Sequence, residues 1–368
     1  MTLKSSLAIA AGKSSYWFLH NFMHGGTSLP GKITLSIDPD VLRDLAKNYE
    51  IVIITGTNGK TLTTALTVKV LQAKYGNILT NPSGSNMKQG IVTAFLTNKK
   101  RKNGKKIAVL ETDEANVPII SEYIRPAAFV LTNLFRDQMD RYGEIYTTYE
   151  KILKGIRMHP KATVIANGDA PIFNSKELPN PLIYYGFDHQ DDQEQMAPAN
   201  TDGLLCPKCQ HILHFKNLVY SNLGKYYCPN CGFKRPTLQY RVNKLSKQTP
   251  QSSTFEIDGH EMTIHIGGTY NIYNALAAYT IGAFLGVEPK KAVQALSDPD
   301  SKVFGRQEVI NVNGKEVTLI LVKNPVGLDQ VLQMVKSDQE PFSLAILLNA
   351  NYADGIDTSW IWDGRFED

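Results

Sequence analysis

Residues 51–61, Ile-Val-Ile-Ile-Thr-Gly-Thr-Asn-Gly-Lys-Thr, decide the fold. Ile51 to Ile54 is an unbroken run of β-branched residues, which is typical of a strand buried on both faces of a parallel sheet. A glycine-rich turn follows, and Leu66, Val70 and Leu71 then recur at helical spacing. In such a strand, turn and helix, the N–H groups of the loop and the N-terminus of the helix point at one spot, where they bind phosphate.

The residues of this turn have predicted roles in binding a nucleotide and Mg²⁺. Lys60 would reach the β- and γ-phosphates of a nucleoside triphosphate, and the Thr61 hydroxyl would hold Mg²⁺. Ile54 stands five residues before Gly59, so the loop departs from the general spacing G-x-x-x-x-G-K-[ST]. We predict ATP and Mg²⁺ as cofactors. The predicted nucleotide-binding residues of the loop are Gly56, Thr57, Asn58, Gly59, Lys60 and Thr61.

The rest of the chain alternates between strand-like and helix-like stretches, which predicts an α/β fold with a doubly wound sheet. Asp258-Gly259 predicts a hairpin, and an apolar helix follows it. The predicted strands are 33–37, 107–110, 129–132, 163–166, 182–185, 254–257, 262–266, 317–322 and 343–348. The predicted helices are 40–49, 271–285 and a stretch near 327–335.

The length, composition and charge of the chain limit the kinds of protein that it can be. With 368 residues, 42% of them apolar and 20% charged, the chain is expected to fold into two or three globular domains. Its net charge of +4 is too modest to indicate a nucleic-acid binder. Because there is no secretory signal and no apolar run near the roughly 20 residues of a membrane span, we expect a cytoplasmic protein. We interpret residues 1–36 as an N-terminal amphipathic segment docked on the first domain, with peripheral contact at the inner membrane face as the alternative.

All four cysteines lie in two tight pairs, Cys206-Pro-Lys-Cys209 and Cys228-Pro-Asn-Cys231. Two C-x-x-C knuckles separated by 18 residues suit a Zn²⁺ ion held by four thiolates. With its four positions taken, such a site is structural. Two disulfides are the rival interpretation, which a cytoplasmic location disfavours. We predict a zinc ribbon inserted at 198–236.

The loop Gly-Thr-Asn-Gly-Lys-Thr resembles the ATP loop of the Mur ligase and folylpolyglutamate synthase family, and further motifs follow in the order of that family. The segment 132–140 and the turn Asn167-Gly168-Asp169 resemble two of them. The resemblance implies a magnesium-binding, catalytic role for Glu111, contacts of Asn271 and Asn274 with adenine, and a nucleotide contact for Arg306 of the Gly305-Arg306 pair. It also implies a central ATP-binding domain at 37–305 and a C-terminal α/β domain at 306–368, which is short for the family and is expected to be truncated.

Two departures from the family pattern bear on the chemistry. Gln138 stands where most relatives carry a metal-binding histidine, and only Lys151 and Lys154 lie near the position of their carbamylated lysine, so a second Mg²⁺ site is not expected. Lys323-Asn324-Pro325 replaces the His-Asn-Pro of the family, which indicates a changed nucleophile site.

The ribbon and the segment 349–362 together make the chain similar to the MurT family, the synthetase subunits of lipid II isoglutaminyl synthases. The resemblance implies ATP-dependent amidation of the α-carboxyl of D-glutamate in the lipid II stem peptide to D-isoglutamine, through an acyl phosphate. A GatD-like glutamine amidotransferase would supply the ammonia. In that family a C-terminal aspartate completes the Cys-His pair of the partner; Asp357 matches best and Asp354 second, although Asp354-Gly355 is also a turn signal.

Two other functions stay open at the level of sequence. A Mur-type ligase that adds an amino acid to a carboxylate would use the same loop, and a zinc-ribbon ATPase acting on nucleic acid would use the loop and the ribbon. An amino-acid-adding ligase would incorporate an amino acid into its product, whereas the amidating enzyme would incorporate ammonia. A nucleic-acid ATPase would be identified by stimulation of its ATP hydrolysis by DNA or RNA.

Overall fold

The computed structural model describes residues 1–22, 27–81, 84–98, 105–136, 145–188, 194–198, 201, 203–299, 307–338, 340–350 and 357–366. The helices are α1 (Leu3–Phe22), α2 (Leu29–Ile37), α3 (Val41–Ala46), α4 (Lys60–Tyr75), α5 (Lys88–Thr97), α6 (Val117–Ser121), α7 (Ile145–Arg157), α8 (Thr269–Phe284), α9 (Pro289–Leu296) and α10 (Pro325–Lys336), with 3-10 turns at Pro171–Asn174 and Ser359–Asp363. The strands are β1 (Glu50–Thr55), β2 (Leu79–Thr80), β3 (Ile107–Glu111), β4 (Pro126–Leu131), β5 (Thr163–Asn167), β6 (Leu182–Phe187), β7 (His214–Tyr220), β8 (Leu223–Tyr227), β9 (Tyr240–Thr249), β10 (Ser252–Ile257), β11 (His260–Ile264), β12 (Gln307–Val312) and β13 (Lys315–Ile320).

One mixed sheet organises the described part of the chain, in the strand order β11-β10-β9-β6-β5-β4-β1-β3-β2. The strands from β2 to β9 in this order pair in parallel, and β10 and β11 add an antiparallel edge. β1 lies between β3 and β4, and its residues 51–54 are at most 1% exposed. Because neighbouring residues on a strand point to opposite faces, this burial means that both faces of the sheet are covered.

The parallel arrangement places three loops at one edge of the sheet. The phosphate-loop sequence follows β1, an acidic stretch follows β3, and Asn133 follows β4. Since β3 and β4 flank β1, the carboxyl ends of these three strands are adjacent. In open parallel sheets this edge is where ligands bind.

Most of the predicted elements are confirmed, with ends that shift by a few residues. The strands around residues 51, 107, 129, 163 and 182 are β1, β3, β4, β5 and β6, and the hairpin around Asp258-Gly259 is β10 and β11. The two predicted later helices are α8 and α10. The predicted helix at 40–49 is confirmed only as the shorter α3. The domain boundaries stay predictions.

The predicted strand at 33–37 is wrong, because these residues form the second half of α2. Ile33, Leu35 and Ile37 alternate as in a strand, but the buried residues of α2 are Pro30, Gly31 and Thr34, which share one helical face. Gly31 lies so close to α5 that its N–H donates to Thr93 Oγ1 at 2.9 Å. Tertiary packing therefore overrides the local pattern.

The predicted strand at 343–348 is also wrong, since residues 341–350 have no regular secondary structure. Leu344, Ile346, Leu347 and Leu348 are exposed, and none of them pairs with a neighbouring strand in the described chain. An apolar run alone does not supply the partner that a strand needs. In this region the paired strands are instead β12 and β13, and β12 was not predicted.

The N-terminal helix α1 packs on α2 and α5 through small residues. Ser5, Ala8 and Gly12 are its buried residues, and a Cβ atom at Gly12 would collide with Thr34 of α2. Residues 3–22 are thus a docked helix whose large apolar side chains face outward, while the predicted segment 1–36 stays a prediction. Among the described helices, none is long and apolar enough to cross a membrane.

The cysteine-bearing insertion is tied to the main sheet by a buried ion pair. Arg235 Nη1 lies 2.9 Å from Asp169 Oδ1, and Arg235 Nη2 lies 2.7 Å from Asp188 Oδ1. Asp169 is fully buried and also accepts hydrogen bonds from the Tyr273 hydroxyl and the Phe187 N–H, both at 2.7 Å. Burial raises the pKa of the Asp169 carboxyl, and Arg235 opposes this. The pair therefore links β5, β6, α8 and the insertion.

We expect Arg235→Met to lower the free energy of unfolding by about 3–5 kcal/mol, because it leaves a buried carboxylate without its cation. Burial then raises the pKa of Asp169 with only the hydrogen bonds from the Phe187 N–H and the Tyr273 hydroxyl opposing it, so the folded state binds a proton more readily than it does with Arg235 present. The loss of unfolding free energy caused by Arg235→Met should therefore become smaller as pH falls and the carboxyl becomes neutral, and larger as pH rises. Urea denaturation at several pH values measures both effects.

Arg241→Met is the matched control. Arg241 also pairs with Asp188, at 3.5 Å, but its side chain is 47% exposed. This change should cost less than about 1 kcal/mol. Equal losses for the two variants would show that the Asp169 pair does not hold the insertion in place.

Candidate active site

The loop after β1 is shaped by two glycines with left-handed backbone. Gly56 has φ +134° and Gly59 has φ +81°. A Cβ atom at Gly56 would collide with Thr132 Oγ1, and one at Gly59 would collide with Asn274 Oδ1. Both positions need glycine for conformation and for space. The loop is therefore packed tightly between β4 and α8.

Asn133, at the end of β4, holds the backbone of the loop. Its Oδ1 accepts from the Asn58 N–H at 2.8 Å, and its Nδ2 donates to the Asn58 carbonyl at 3.0 Å. Its own carbonyl accepts from the Thr57 N–H at 2.9 Å. The Thr57 hydroxyl donates to the Phe135 carbonyl at 3.2 Å. These bonds fix the direction of the loop independently of a ligand.

Lys60, the first residue of α4, lies folded over the loop. Its Nζ donates to the Gly56 carbonyl and to Glu114 Oε1, the latter at 2.8 Å. Burial lowers the pKa of Lys60, but the carboxylates of Glu114, Glu111 and Asp113 more than offset burial, so the pKa is raised. The ammonium is therefore charged, and it lies where it can offset the negative charge of a phosphate.

Three buried carboxylates lie at the end of β3 and just after it, near this lysine: Glu111, Asp113 and Glu114. The backbone of Glu111 is fixed by Asn81, which accepts from its N–H at 3.0 Å and donates to its carbonyl at 2.9 Å. Glu111 and Thr61 both line the cavity next to the loop. A carboxylate and a hydroxyl in this place fit the oxygen ligands that Mg²⁺ prefers.

Asn274 and Asn271 of α8 lie beside the loop and the first turn of α4; their predicted contact with adenine stays a prediction. Asn274 Oδ1 accepts from the Thr63 hydroxyl at 3.1 Å, and its Nδ2 donates to Asn271 Oδ1 at 3.2 Å. Asn271 Nδ2 donates in turn to the Gly267 carbonyl at 2.6 Å. Both residues line the same cavity as the phosphate loop.

The C-terminal unit, which comprises β12, β13 and α10, contacts the loop through a reciprocal pair of side-chain amides. Asn58 Nδ2 donates to Asn324 Oδ1 at 3.2 Å, and Asn324 Nδ2 donates to Asn58 Oδ1 at 2.9 Å. Asn324 is 1% exposed and also caps α10 by accepting from the Gly327 N–H at 2.9 Å. This is the asparagine of the Lys323-Asn324-Pro325 motif, which is thereby placed against the phosphate loop.

A cavity of about 510 Å³ lies between the loop, α8, the β12–β13 hairpin and the start of α10. Its volume is in the range of sites for small molecules and cofactors. Lys60, Thr61 and Glu111 line it on one side, and Lys323 lines it on the other. Of the predicted loop residues, Thr57 to Thr61 line this space together with Glu111, Asn271 and Asn274, whereas Gly56 does not line it.

Tyr220, at the end of β7 in the cysteine-bearing insertion, also lines the cavity and was not predicted. It is 6% exposed, and its ring contacts those of Phe135 and Tyr273 at centroid distances of 6.0 and 5.8 Å. Among the described residues its hydroxyl has no hydrogen-bond partner. No local pattern marks this tyrosine, because only the docking of the insertion brings it to the site.

The four cysteines converge at the tip of the insertion. All four Sγ atoms lie within 4.8 Å of one another, and the closest pairs, Cys206 with Cys231 and Cys209 with Cys228, are 3.5 Å apart. These are thiols without a disulfide bond. Thiolates about 2.3 Å from a central Zn²⁺ would stand at similar mutual distances. The cluster therefore fits the predicted zinc ligands.

Asp357 lies apart from the cavity. It is exposed, and its Oδ1 accepts from the Ser359 N–H at 2.8 Å. Hydrogen bonding by the side chain of Ser359, and then by its N–H, lowers the pKa of the Asp357 carboxyl, with a further contribution from Arg136. Arg136 also pairs with Asp363, which connects the C-terminal segment to the loop after β4. Asp354, Arg306 and Gln138 lie outside the described residues.

Residues 54–282 match the Mur ligase middle domain, and residues 321–368 match the MurT ligase C-terminal family. The MurT subunit of lipid II isoglutaminyl synthase (glutamine-hydrolyzing) from Streptococcus pneumoniae R6 is 57% identical over 367 residues, which cover 100% of this chain and 82% of that protein.

The chain belongs to the MurT family.

MurT proteins are Mur-type ligases, and solved structures agree with this fold. A pseudomurein peptide ligase type C from Methanothermus fervidus is 24% identical with a TM-score of 0.63, over 80% of this chain and 58% of that one. A MurF ligase from Thermotoga maritima, solved in complex with ADP, is 16% identical with a TM-score of 0.58, over 83% of this chain and 61% of that one. The predicted Mur ligase fold and the resemblance to the MurT family are confirmed.

We expect Gly59→Ala to weaken the binding of Mg·ATP by about tenfold or more. A Cβ atom at this position displaces either the loop or Asn274, and a displacement that costs about 1.4 kcal/mol changes the binding constant tenfold. Isothermal titration calorimetry measures the affinity. Gly259→Ala is the control, because Gly259 has the similar φ of +83° with no atom within 4 Å of an added Cβ. Unchanged affinity in Gly59→Ala would contradict the role of this contact.

Proposed function

We propose that this MurT-family chain is the synthetase subunit of an enzyme that amidates the α-carboxyl of D-glutamate in the lipid II stem peptide. The name and 57% identity of the pneumococcal relative support the substrate and the reaction. The observation that carries the proposal is the cavity in which the Lys60 ammonium, the Glu111 carboxylate and the amide network of the loop meet. Such a cavity suits the activation of a carboxylate by ATP.

ATP is proposed to bind with its phosphates at Gly56 to Lys60 and its base near Asn271 and Asn274. Arg306, which precedes β12, would add a further nucleotide contact. Thr61 and Glu111 would hold Mg²⁺, which offsets phosphate charge when bound. Lys60 would lie beside the transferring phosphoryl group and stabilise the charge that develops on it. The ADP complex of the Thermotoga relative supports a nucleotide in this fold.

The reaction would have two steps. An oxygen of the substrate carboxylate attacks the γ-phosphorus of ATP, the bond to the β-phosphate oxygen breaks, and an acyl phosphate and ADP result. Ammonia then attacks the acyl carbon, phosphate leaves, and loss of a proton gives the amide. The Asn58–Asn324 pair brings the start of α10 against the loop beside the cavity, and keeping bulk water out of this space would protect the intermediate from hydrolysis.

The ammonia is proposed to come from a GatD-like glutaminase subunit. Releasing ammonia from glutamine normally requires a cysteine nucleophile. This chain has four cysteines, and all four lie in the cluster that fits zinc. The proposed Zn²⁺ would be structural, since the cluster offers four ligands and no further group. A second chain must then carry the nucleophile.

Asp357 is proposed to complete the Cys-His pair of that partner, with Asp354 as the second candidate. Its exposure leaves it accessible to another chain, and the hydrogen bonds from the side chain and the N–H of Ser359 lower its pKa and favour the ionised form. An ionised aspartate can orient a histidine and stabilise its cation. The substrate would be met at the membrane surface, since it is lipid-linked.

We expect the purified chain to amidate lipid II with ATP and a high concentration of ammonium, or with glutamine once the glutaminase subunit is added. Lys60→Met should lower the rate by about a hundred- to a thousandfold, since it removes one charge from the phosphoryl site. Mass spectrometry of the lipid II product measures the outcome. Lys69→Met, on the same helix and paired with Asp298, is the control and should retain activity.

Two experimental outcomes would contradict the proposed amidation and identify another function. Incorporation of an amino acid in place of ammonia would identify an amino-acid-adding ligase. ATP hydrolysis stimulated by DNA or RNA, with no lipid II product, would identify a nucleic-acid enzyme.

We expect Asp357→Asn to abolish glutamine-driven amidation and to leave ammonium-driven amidation unchanged, because it removes only the charge facing the partner. Parallel assays with glutamine and with ammonium separate the two activities. Asp338→Asn is the matched control, since Asp338 accepts a similar local hydrogen bond, from the Glu340 N–H at 3.2 Å. If Asp357→Asn keeps full glutamine-driven activity, this aspartate is only a turn residue.

A further inference from the structure

The outward face of α1 exposes more apolar surface than its packing explains. Trp17 is 62% exposed, Phe18 53% and Phe22 64%, and their rings contact one another. Leu3 and Leu7, further towards the N-terminus, are 80% and 61% exposed. Single exposed apolar residues are common, but a contiguous exposed patch on a soluble protein usually marks an interaction site.

Helical geometry puts these residues opposite the docked face. At about 100° per residue, the buried Ser5, Ala8 and Gly12 lie on one side of the helix, and Leu3, Leu7, Trp17 and Phe18 lie on the other. The side that packs on α2 and α5 uses small residues, and the free side carries the bulky ones. This distribution is the reverse of that expected for a helix whose only partner is its own protein core.

The charges of α1 show which surface this face fits. Its residues 3–22 include Lys4, Lys13 and His20 and no aspartate or glutamate. Both lysines are exposed, and they stand at the margins of the apolar stripe, one on each side. Lysine stems can lie along an apolar boundary while their ammonium groups reach outward. An apolar stripe with cationic margins and no carboxylates is complementary to an anionic lipid surface.

We propose that α1 binds the surface of an anionic bilayer, lying parallel to it with Trp17, Phe18 and Phe22 inserted among the headgroups. Tryptophan and phenylalanine suit this boundary, where one side is apolar and the other is wet. The helix lies on the bilayer and does not cross it, in agreement with the absence of a spanning helix among the described residues. Docking through Ser5, Ala8 and Gly12 would hold the ligase body close to the lipid.

Vesicle binding tests this proposal without nucleotide or substrate. We expect the full chain to sediment with vesicles of phosphatidylcholine and phosphatidylglycerol at 3:1 and to bind pure phosphatidylcholine more weakly. Replacing Trp17, Phe18 and Phe22 together by serine should reduce binding by at least about tenfold. Lys4→Gln and Lys13→Gln should each reduce binding to the anionic vesicles by about fivefold.

A depth measurement distinguishes insertion from loose attachment. The chain has three tryptophans, and Trp360→Phe with Trp362→Phe leaves Trp17 as the only one. Brominated phosphatidylcholine in the anionic vesicles should then quench its fluorescence. Trp362→Ser, which removes a tryptophan that is 87% exposed on the C-terminal segment, is the control and should bind vesicles as the parent does.

The proposal is overturned if the chain binds neither vesicle, if the triple serine variant binds as tightly as the parent, or if Trp17 is not quenched. Circular dichroism and the affinity for Mg·ATP show whether the variants are folded, and the substituted side chains are exposed. Because the assay contains no ATP and no lipid II, its failure would leave the proposed amidation untouched. Failure of the amidation assay would likewise leave the lipid-binding surface intact.

Discussion

The phosphate loop depends on asparagine side chains that reach it from three directions. Asn133 binds its backbone from the end of β4, Asn274 packs against Gly59 from α8, and Asn324 pairs with Asn58 from the C-terminal unit. An amide offers both a donor and an acceptor without bringing charge into the site. These hydrogen bonds therefore position the loop without adding charge. The charges at the site come from Lys60 and from the acidic residues at and just after the end of β3.

The balance of charge around Lys60 follows from this arrangement. Its ammonium is largely buried and lies against Glu114, with Glu111 and Asp113 nearby. Without those carboxylates, burial would favour the neutral amine. Three carboxylates around one ammonium leave the site with surplus negative charge, which a divalent cation would offset. The same residues thus keep the lysine charged and favour a metal beside it.

The sequence predicts the parts of this site whose signals are local. The loop, its strand and helix, and the cysteine pairs have short, fixed spacings, so neighbouring residues alone define them. The contacts made by Asn81, Tyr220 and Asn324 could not be predicted, because each depends on how distant elements dock. The same limit explains the error at 33–37, where an alternating pattern was outweighed by the close approach of Gly31 to α5. At 343–348 an apolar run has no strand to pair with in the described part of the chain.

The pairing of Asn58 with Asn324 restricts how these two positions can change. Each amide gives and receives one hydrogen bond, so a carboxylate at either position would set two acceptors face to face, and an alkyl group would strand a buried polar atom. Asn324 is also the N-cap of α10, where its side chain accepts a third hydrogen bond, from the Gly327 N–H. In descendants of this sequence, a substitution at one of the two sites would therefore be tolerated only together with a compensating substitution at the other.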